Sequence, residues 1–309
     1  MPFETPVLFL IFNRTDTTQQ VFNAIREAKP KHLYVAADGA RPNREGEAEK
    51  CQQTRDIIKQ VDWDCEVKTL FRTENLGCGL AVSSAITWFF DNVEQGIILE
   101  DDCLPHPDFF MYCRELLERY RDNDEVMFIG GTNHQLGIER GDASYYFSAF
   151  SHVWGWASWR SSWEKYHYDV SGISLLQFEN MLNCYFKEDA SIIRYYKRIF
   201  KLMQQHKIDT WDYQWTFSIW INKGLAIIPN KNLVSNIGFG ENATHTSAKK
   251  NRSANLPTSS IRPIKHPNAI TQNKKADFYY ARKFYHRDSI FKILKTPVYF
   301  VRQLLKLYF

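Results

Sequence analysis

The sequence of 309 residues predicts an α/β protein with a mostly parallel central sheet flanked by helices. Three observations support this prediction. In the first 130 residues, short apolar runs alternate with helical patterns of about 10–15 residues, as in βαβ units. Polar residues follow directly after these apolar runs. The composition, with 44% hydrophobic and 24% charged residues, is globular and excludes disordered, collagen-like and coiled-coil proteins.

The expected elements follow the apolar runs in chain order. Strands are expected at residues 7–12, 33–37, 66–72, 97–99 and 126–129. Helices are expected between them, at residues 17–28, 46–60, 75–92 and 107–121. The second half predicts strands at 145–150 and 225–228, and helices at 192–206 and 211–222. Residues 240–275 are rich in Ser, Thr, Asn, Pro and Lys, which indicates a loop or tether.

Basic residues are concentrated at the C-terminal end of the chain. Residues 249–309 carry a formal net charge of +12, whereas residues 1–248 carry −8. We therefore expect a globular domain over 1–248 and a basic loop and tail over 249–309. Halves are expected at 1–133 and 134–248 within the domain, because the second half differs in pattern from the alternating strands and helices of the first. Such a tail favours an anionic partner. It lacks the zinc, RNA-binding and helix-turn-helix motifs of nucleic-acid-binding proteins, so no nucleic-acid partner is expected.

Neither an export signal nor a membrane span is evident in the sequence. The longest early apolar run, residues 6–12, is far shorter than the roughly 20 residues that cross a bilayer. Glu4 stands where a signal peptide would carry basic residues. The six cysteines form no CxxC pair. We therefore expect a cytoplasmic protein with reduced thiols.

Three consecutive carboxylates, Glu100-Asp101-Asp102, directly follow an apolar strand. Like charges so close together repel one another, and an apolar strand end does not favour them without a cation. A hard divalent metal with oxygen ligands resolves this conflict. The alternative is an exposed acidic turn, or a cap for the helix expected at 107–121.

Polar residues also follow the other expected strands, at Asn13-Arg14, Asp38, Glu74-Asn75 and Thr132-Asn133. The carboxyl ends of parallel strands meet at one edge of a sheet, where α/β proteins bind their ligands. The sequence therefore predicts a ligand site at this edge.

The acidic triplet and the Pro107-Asp-Phe-Phe110 that follows it resemble the DxD-type motif of GT-A-fold glycosyltransferases. They are most similar to the Glu-Asp-Asp form of the N-acetylglucosaminyltransferase I family. Asn75-Leu-Gly77 resembles the Asn-x-Gly of inverting GT-A enzymes. The resemblance covers about residues 5–246.

The resemblance implies a GT-A domain over 1–248, with a nucleotide-sugar-binding half and an acceptor half. The implied activity is Mn²⁺- or Mg²⁺-dependent inverting transfer of a sugar, such as GlcNAc or a related hexose. The donor would be a UDP-sugar, and the acceptor a hydroxyl of a glycan or lipid-linked molecule, as in polysaccharide biosynthesis. A retaining transferase, a two-carboxylate glycoside hydrolase and a non-catalytic binding protein with an anion-binding tail remain alternatives.

Donor-site roles follow from the same resemblance. Asp102 would ligate the metal directly, while Glu100 and Asp101 would hold the ribose and metal-bound waters. Arg14 would contact the diphosphate or uracil, and Asp38 would accept from the uracil edge. Asn75 would also belong to the donor site. The structural alternatives are a helix cap for Arg14 and an ordinary turn at Asp38.

Acceptor-site roles are implied by three further segments. Trp211-Asp212 resembles the segment that carries the catalytic base, with Asp209 as the second choice and an N-cap role as the alternative for Asp212. Trp154-Gly155-Trp156 resembles the wall of the sugar pocket, although Trp is also common in cores. His245 lies in a segment resembling one that contacts the diphosphate or metal, or is simply an exposed loop histidine.

Residues 289–309 have the pattern of a basic amphipathic helix. At 100° per residue, Lys292, Lys295, Arg302 and Lys306 fall within an arc of roughly 80°, opposite an apolar face. Such a helix binds anionic membrane surfaces, which predicts a peripheral protein at the cytoplasmic face of the membrane. Pro297 would kink it, and the alternative is a helix packed on the acidic domain.

Overall fold

The computed structural model describes residues 3–239 and 254–285 of the chain. The strands of this part are β1 (Val7–Ile11), β2 (His32–Ala37), β3 (Glu66–Phe71), β4 (Gln95–Glu100), β5 (Cys103–Pro105), β6 (Val126–Gly130), β7 (Tyr145–Ser148), β8 (Trp156–Trp159), β9 (Leu225–Pro229) and β10 (Val234–Asn236). The helices are α1 (Thr15–Ala28), α2 (Glu47–Asp56), α3 (Gly77–Asn92), α4 (Asp108–Arg119), α5 (Arg160–Trp163), α6 (Leu175–Phe186), α7 (Ala190–Gln204), α8 (Asp212–Ile221) and α9 (Lys274–Phe284).

Eight strands form one sheet in the order β3-β2-β1-β4-β8-β6-β9-β7. Strands β3, β2, β1 and β4 pair in parallel. β8 lies antiparallel between β4 and β6, while β9 pairs in parallel with β6 and antiparallel with β7. β5 and β10 form a separate antiparallel pair. The predicted α/β class, with a central sheet flanked by helices, is confirmed.

Both faces of the sheet are covered, as the residues of β1 show. Leu8 and Leu10 belong to the core formed with α3 and α8, whereas Val7, Phe9 and Ile11 belong to the core formed with α1 and α4. A parallel strand buried on both faces needs apolar side chains at every position. This requirement explains why β1 is a continuous apolar run in the sequence.

Strand β8 is an element that the sequence pattern does not predict. All four of its residues are buried. Ser158 Oγ donates to the Met127 carbonyl at 2.8 Å, and Trp159 Nε1 donates to the Leu117 carbonyl at 3.2 Å. Inserted beside β4, this strand ends the parallel half of the sheet next to the acidic turn, residues 100–102.

Residues 254–285, expected to be part of a loop and tail, pack on the body of the protein. Asn273 N donates to the Phe147 carbonyl at 2.7 Å beside a bridge between Phe147 and Gln272. On α9, Asp277 is buried and accepts bonds from Ser148 Oγ at 2.6 Å and Ala149 N at 3.0 Å. The domain boundary at residue 248 stays a prediction.

Two of the predicted features, His245 and the helix at 289–309, lie outside the described residues. None of the helices in residues 3–239 and 254–285 has the length and apolar character needed to cross a bilayer.

Candidate active site

A cavity of about 480 Å³ opens at the carboxyl ends of the four parallel strands. Each of these strands is followed by polar side chains that line it. β1 leads to Arg14, β2 to Asp38, β3 to Arg72, and β4 to the acidic turn. Further polar lining residues are Arg41, Asn75, Asp209 and Asn236. The predicted convergence of strand-end residues is therefore present in the structure.

Arg14 is ion-paired with two carboxylates of the acidic turn. Its Nη2 lies 2.7 Å from Asp101 Oδ1, and its Nη1 lies 3.0 Å from Asp102 Oδ2. Asp101 is only 3% exposed. Arg14, in the loop after β1, thus supplies a positive charge that reduces the repulsion between the adjacent acids.

Burial raises the pKa of Glu100, and the negative charges of Asp102 and Asp101 raise it further, while Arg14 lowers it. Burial also raises the pKa of Asp101, and the opposing charge of Arg14 does not cancel this effect. Both carboxyl groups therefore favour their protonated forms more than free carboxyl groups do. More positive charge at the acidic turn would favour the ionised forms.

Asp102 is surrounded by donors from its own chain. Its Oδ1 accepts from Asn236 Nδ2 at 3.2 Å, and its carbonyl accepts from Ile237 N at 2.8 Å. Gly238 follows, where an added Cβ would collide with Asp102 Oδ2 and lie 2.7 Å from Arg14 Nη1. A side chain at position 238 would therefore displace this ion pair.

The acidic turn has the oxygen-donor chemistry that Mn²⁺ or Mg²⁺ prefers. Asp101 Oδ2 is buried and has no hydrogen-bond partner among residues 3–239 and 254–285, and Asp102 faces the cavity. Within the described residues, no group of three or more His, Cys, Asp or Glu side chains is assembled as a metal site. A cation held by Asp102 would therefore complete its ligands with water or substrate oxygens. On this donor chemistry the residues fit a divalent metal.

Asp38 and Asn75 shape the entry to α3. The Asp38 carboxylate accepts from Asn75 Nδ2 at 2.9 Å and from the backbone N–H of Leu76 and Gly77. Gly77 has a φ of +79°, a left-handed conformation that suits glycine. Both predicted donor-site residues therefore line the cavity while holding this turn.

Asp209 caps the same helix from the other side of the cavity. Its Oδ1 accepts from Gly79 N at 2.8 Å, and its Oδ2 accepts from Cys78 N at 3.2 Å. Negative charge at a helix N-terminus is stabilised by the helix dipole. Both Asp209 oxygens are engaged by α3, which disfavours Asp209 as a catalytic base.

Asp212 lies at the start of α8, beside the cavity and not among its lining residues. Its Oδ1 accepts from Thr210 Oγ1 and from Tyr213 N, and no bond to its Oδ2 occurs within the described residues. Its charge contributes to the raised pKa of Glu100. Asp212 is therefore near the acidic turn, and the described residues leave one of its carboxylate oxygens without a hydrogen bond.

The Trp154-Gly155-Trp156 segment divides between cavity and core. Trp154 lines the cavity, and its ring meets the Phe239 ring at 5.5 Å. Gly155 is buried with a φ of +64°. Trp156 is fully buried and stacks on Phe128 at 5.2 Å. The expectation that Trp156 walls the sugar pocket is corrected, because its ring belongs to the core.

Arg41 and Arg72 are cavity residues that the sequence reasoning missed. Arg41 is ion-paired with Glu47. Arg72 Nη2 donates to Ser84 Oγ at 2.9 Å, and Arg72 forms no ion pair within residues 3–239 and 254–285. Burial lowers the pKa of Arg72. Its place at the carboxyl end of an expected strand was the signal that could have identified it.

Comparisons with known proteins give weak similarities only. Neither a family model nor a curated protein matches the chain. Among solved structures, HddC from Yersinia pseudotuberculosis is 11% identical with a TM-score of 0.32, over 51% of this chain and 77% of that one. The 4-diphosphocytidyl-2C-methyl-D-erythritol synthase from Anaerococcus prevotii DSM 20548 is 8% identical with a TM-score of 0.33, over 52% and 74%.

A UDP-glucose pyrophosphorylase complexed with UDP-glucose is 13% identical with a TM-score of 0.27, over 47% of this chain and 62% of that one. At this level of similarity, function has to be inferred from the cavity itself.

Proposed function

We propose that the protein is a metal-dependent, inverting glycosyltransferase that uses a UDP-sugar. The acceptor would be a hydroxyl group of a glycan or of a lipid-linked molecule. One observation carries the proposal: the carboxyl ends of four parallel strands bring an acidic turn and three arginines into one cavity. Acidic residues for a divalent metal beside guanidinium groups for phosphates suit a nucleoside diphosphate.

Donor binding would use the residues of the nucleotide half. Arg14 and Arg72 would bind the diphosphate, since guanidinium groups form paired bonds with phosphate oxygens. Asp38 would accept from the uracil edge. Asp102 would hold Mn²⁺ or Mg²⁺, with Glu100 and Asp101 binding the ribose and metal-bound water. Such a cation neutralises the charge of a departing diphosphate.

Asp212 would activate the acceptor hydroxyl. In an inverting transfer, a carboxylate takes the proton of the acceptor hydroxyl as the oxygen attacks the anomeric carbon. In the part of the chain that the structure describes, Asp212 Oδ2 accepts no hydrogen bond, whereas both oxygens of Asp209 accept from backbone N–H groups of α3. The Trp154 ring at the cavity surface offers an apolar face for a sugar ring.

The direct test is the release of UDP by the full chain from a panel of UDP-sugars, with Mn²⁺ and with EDTA. Metal-dependent UDP release, increased by a glycan or lipid-linked acceptor, is the expected result. UDP binding measured by calorimetry separates the binding step from turnover. A chain that binds no UDP with or without Mn²⁺ would overturn the proposed function.

A further inference from the structure

Arg14 is ion-paired with Asp101 and Asp102, two acids that would belong to the proposed donor site. One nitrogen of its guanidinium lies 2.7 Å from Asp101 Oδ1, and the other lies 3.0 Å from Asp102 Oδ2. Paired bonds from one guanidinium to carboxylate oxygens are strong and directional. A single side chain therefore pairs with two neighbouring carboxylates and offsets one of their two negative charges.

Both oxygens of Asp102, which a metal would use as ligands, already have partners in the chain, and Oδ2 is the one paired with Arg14. The other oxygen accepts from Asn236 Nδ2 at 3.2 Å and lies 3.4 Å from Cys103 Sγ. A dication bound to Asp102 would lie close to the guanidinium group of Arg14. The two positive charges would repel each other, and this repulsion is stronger near a protein surface than in bulk water because the effective dielectric constant is lower there. The backbone at Gly238 closes over the same pair. Arg14 and a metal thus compete for Asp102.

Building on the glycosyltransferase function proposed above, we propose that Arg14 is an internal counter-ion that keeps divalent metal off Asp102 until a nucleoside diphosphate binds its guanidinium. The diphosphate offers Arg14 a second set of anionic oxygens. A ligand shifts a conformation only through its different affinity for the two states. Here the diphosphate binds the state in which the Arg14 side chain has left Asp102, so it shifts the equilibrium toward that state.

The affinity of the full chain for Mn²⁺ alone, measured by calorimetry without nucleotide, tests the role of Arg14. The wild-type chain should bind Mn²⁺ weakly. Arg14→Met should bind it about tenfold more tightly, a change within the usual range of coupling between two sites. Arg14→Lys should lie between the two, because one ammonium group keeps the charge but cannot bond both carboxylates as a guanidinium does.

Arg72→Met is the matched control. It removes a guanidinium from the same cavity, but one that is not ion-paired with the acidic turn. Its Mn²⁺ affinity without nucleotide should change much less than that of Arg14→Met. Melting temperatures of all variants report whether each chain is folded. If Arg14→Met does not fold, Arg14→Lys decides the question.

The outcomes separate this inference from the proposed function. If the Arg14 variants bind Mn²⁺ no more tightly than the wild type, or Arg72→Met gains as much, Arg14 is not the counter-ion. In that case UDP binding by the wild-type chain with Mn²⁺ leaves the glycosyltransferase proposal standing. Absence of UDP binding under all conditions overturns the proposed function, whatever the Mn²⁺ affinities are.

Discussion

Asp102 is ion-paired with Arg14 and lines the cavity. We expect Asp102→Asn to lose Mn²⁺-dependent UDP binding, because an amide oxygen lacks the charge that a hard cation prefers. Calorimetric titration of UDP with Mn²⁺ and with EDTA measures this loss. Asp62→Asn, which removes an exposed carboxylate paired with Arg26, is the control and should bind UDP as the wild type does. Wild-type UDP affinity and turnover in Asp102→Asn would refute the metal role.

Asp212 carries the second prediction at this scale. Asp212→Asn should bind UDP almost normally, while its turnover falls by about 10²–10⁴-fold, the usual contribution of a general base. The ratio of kcat to the wild-type value, with UDP affinity measured separately, tests this. Loss of UDP binding would instead place Asp212 in the donor site.

Asp209→Asn is the comparison variant for Asp212→Asn. Because Asp209 accepts from two backbone N–H groups of α3, its replacement should lower the melting temperature more than the replacement of Asp212 does. A folded Asp209→Asn chain without turnover, beside a nearly normal Asp212→Asn, would make Asp209 the base.

Single residues of the site were predictable where strand ends determine their position. Asp38 and Glu100 both directly follow or end parallel strands, and the sheet brings them to one edge. Their partners could not be predicted, since the pairing of Arg14 with Asp101 depends on side-chain geometry across two loops. Trp156 was misplaced because motif resemblance does not say which face of a buried strand a ring occupies.

At the scale of elements, α9 is held by a buried carboxylate. Asp277 accepts from Ser148 Oγ, Ala149 N and Gln272 Nε2. Burial nevertheless raises the pKa of Asp277 to about 6. The native state therefore keeps a proton that the unfolded chain releases near pH ~4.

The raised pKa of Asp277 determines whether the free energy of unfolding rises or falls with pH. The stabilisation from protonated Asp277 is complete below about pH 4 and is lost as the pH rises through about 6. Relative to Asp277→Asn, the wild-type free energy of unfolding should fall by about 2 kcal/mol between pH 4 and pH 7. Denaturant unfolding of both chains at several pH values measures the difference. A difference that is constant or grows with pH would contradict the shift.

Elements were predictable where local pattern alone determines them. β1, β2 and β4 are mainly apolar runs, because both faces of the sheet are buried at these strands. β8 and α9 were missed for a different reason. β8 is a short aromatic stretch that resembles a ligand motif, and α9 follows a polar, Pro-containing segment. Both are stabilised by contacts with distant parts of the chain, such as Met127 and Ser148, which no local window contains.

At the scale of the whole molecule, acidic and basic residues are concentrated in different parts of the chain. Residues 1–248 carry a net −8 and residues 249–309 a net +12. Part of the basic segment, residues 254–285, packs on the acidic body. Residues 289–309 lie outside the described residues, and their basic amphipathic pattern remains the basis of the predicted membrane contact.

Deleting residues 289–309 should release the protein from anionic liposomes without lowering its melting temperature. Each cation near an anionic surface contributes about 1 kcal/mol to binding, and the deletion begins beyond the end of α9 at Phe284. Sedimentation with phosphatidylserine-containing vesicles measures the release, and phosphatidylcholine vesicles supply the uncharged control. The full chain with Lys292→Glu and Lys295→Glu keeps the apolar face and should also lose binding. A truncated chain that unfolds would show that these residues belong to the fold, and one that still sediments would place the membrane contact elsewhere.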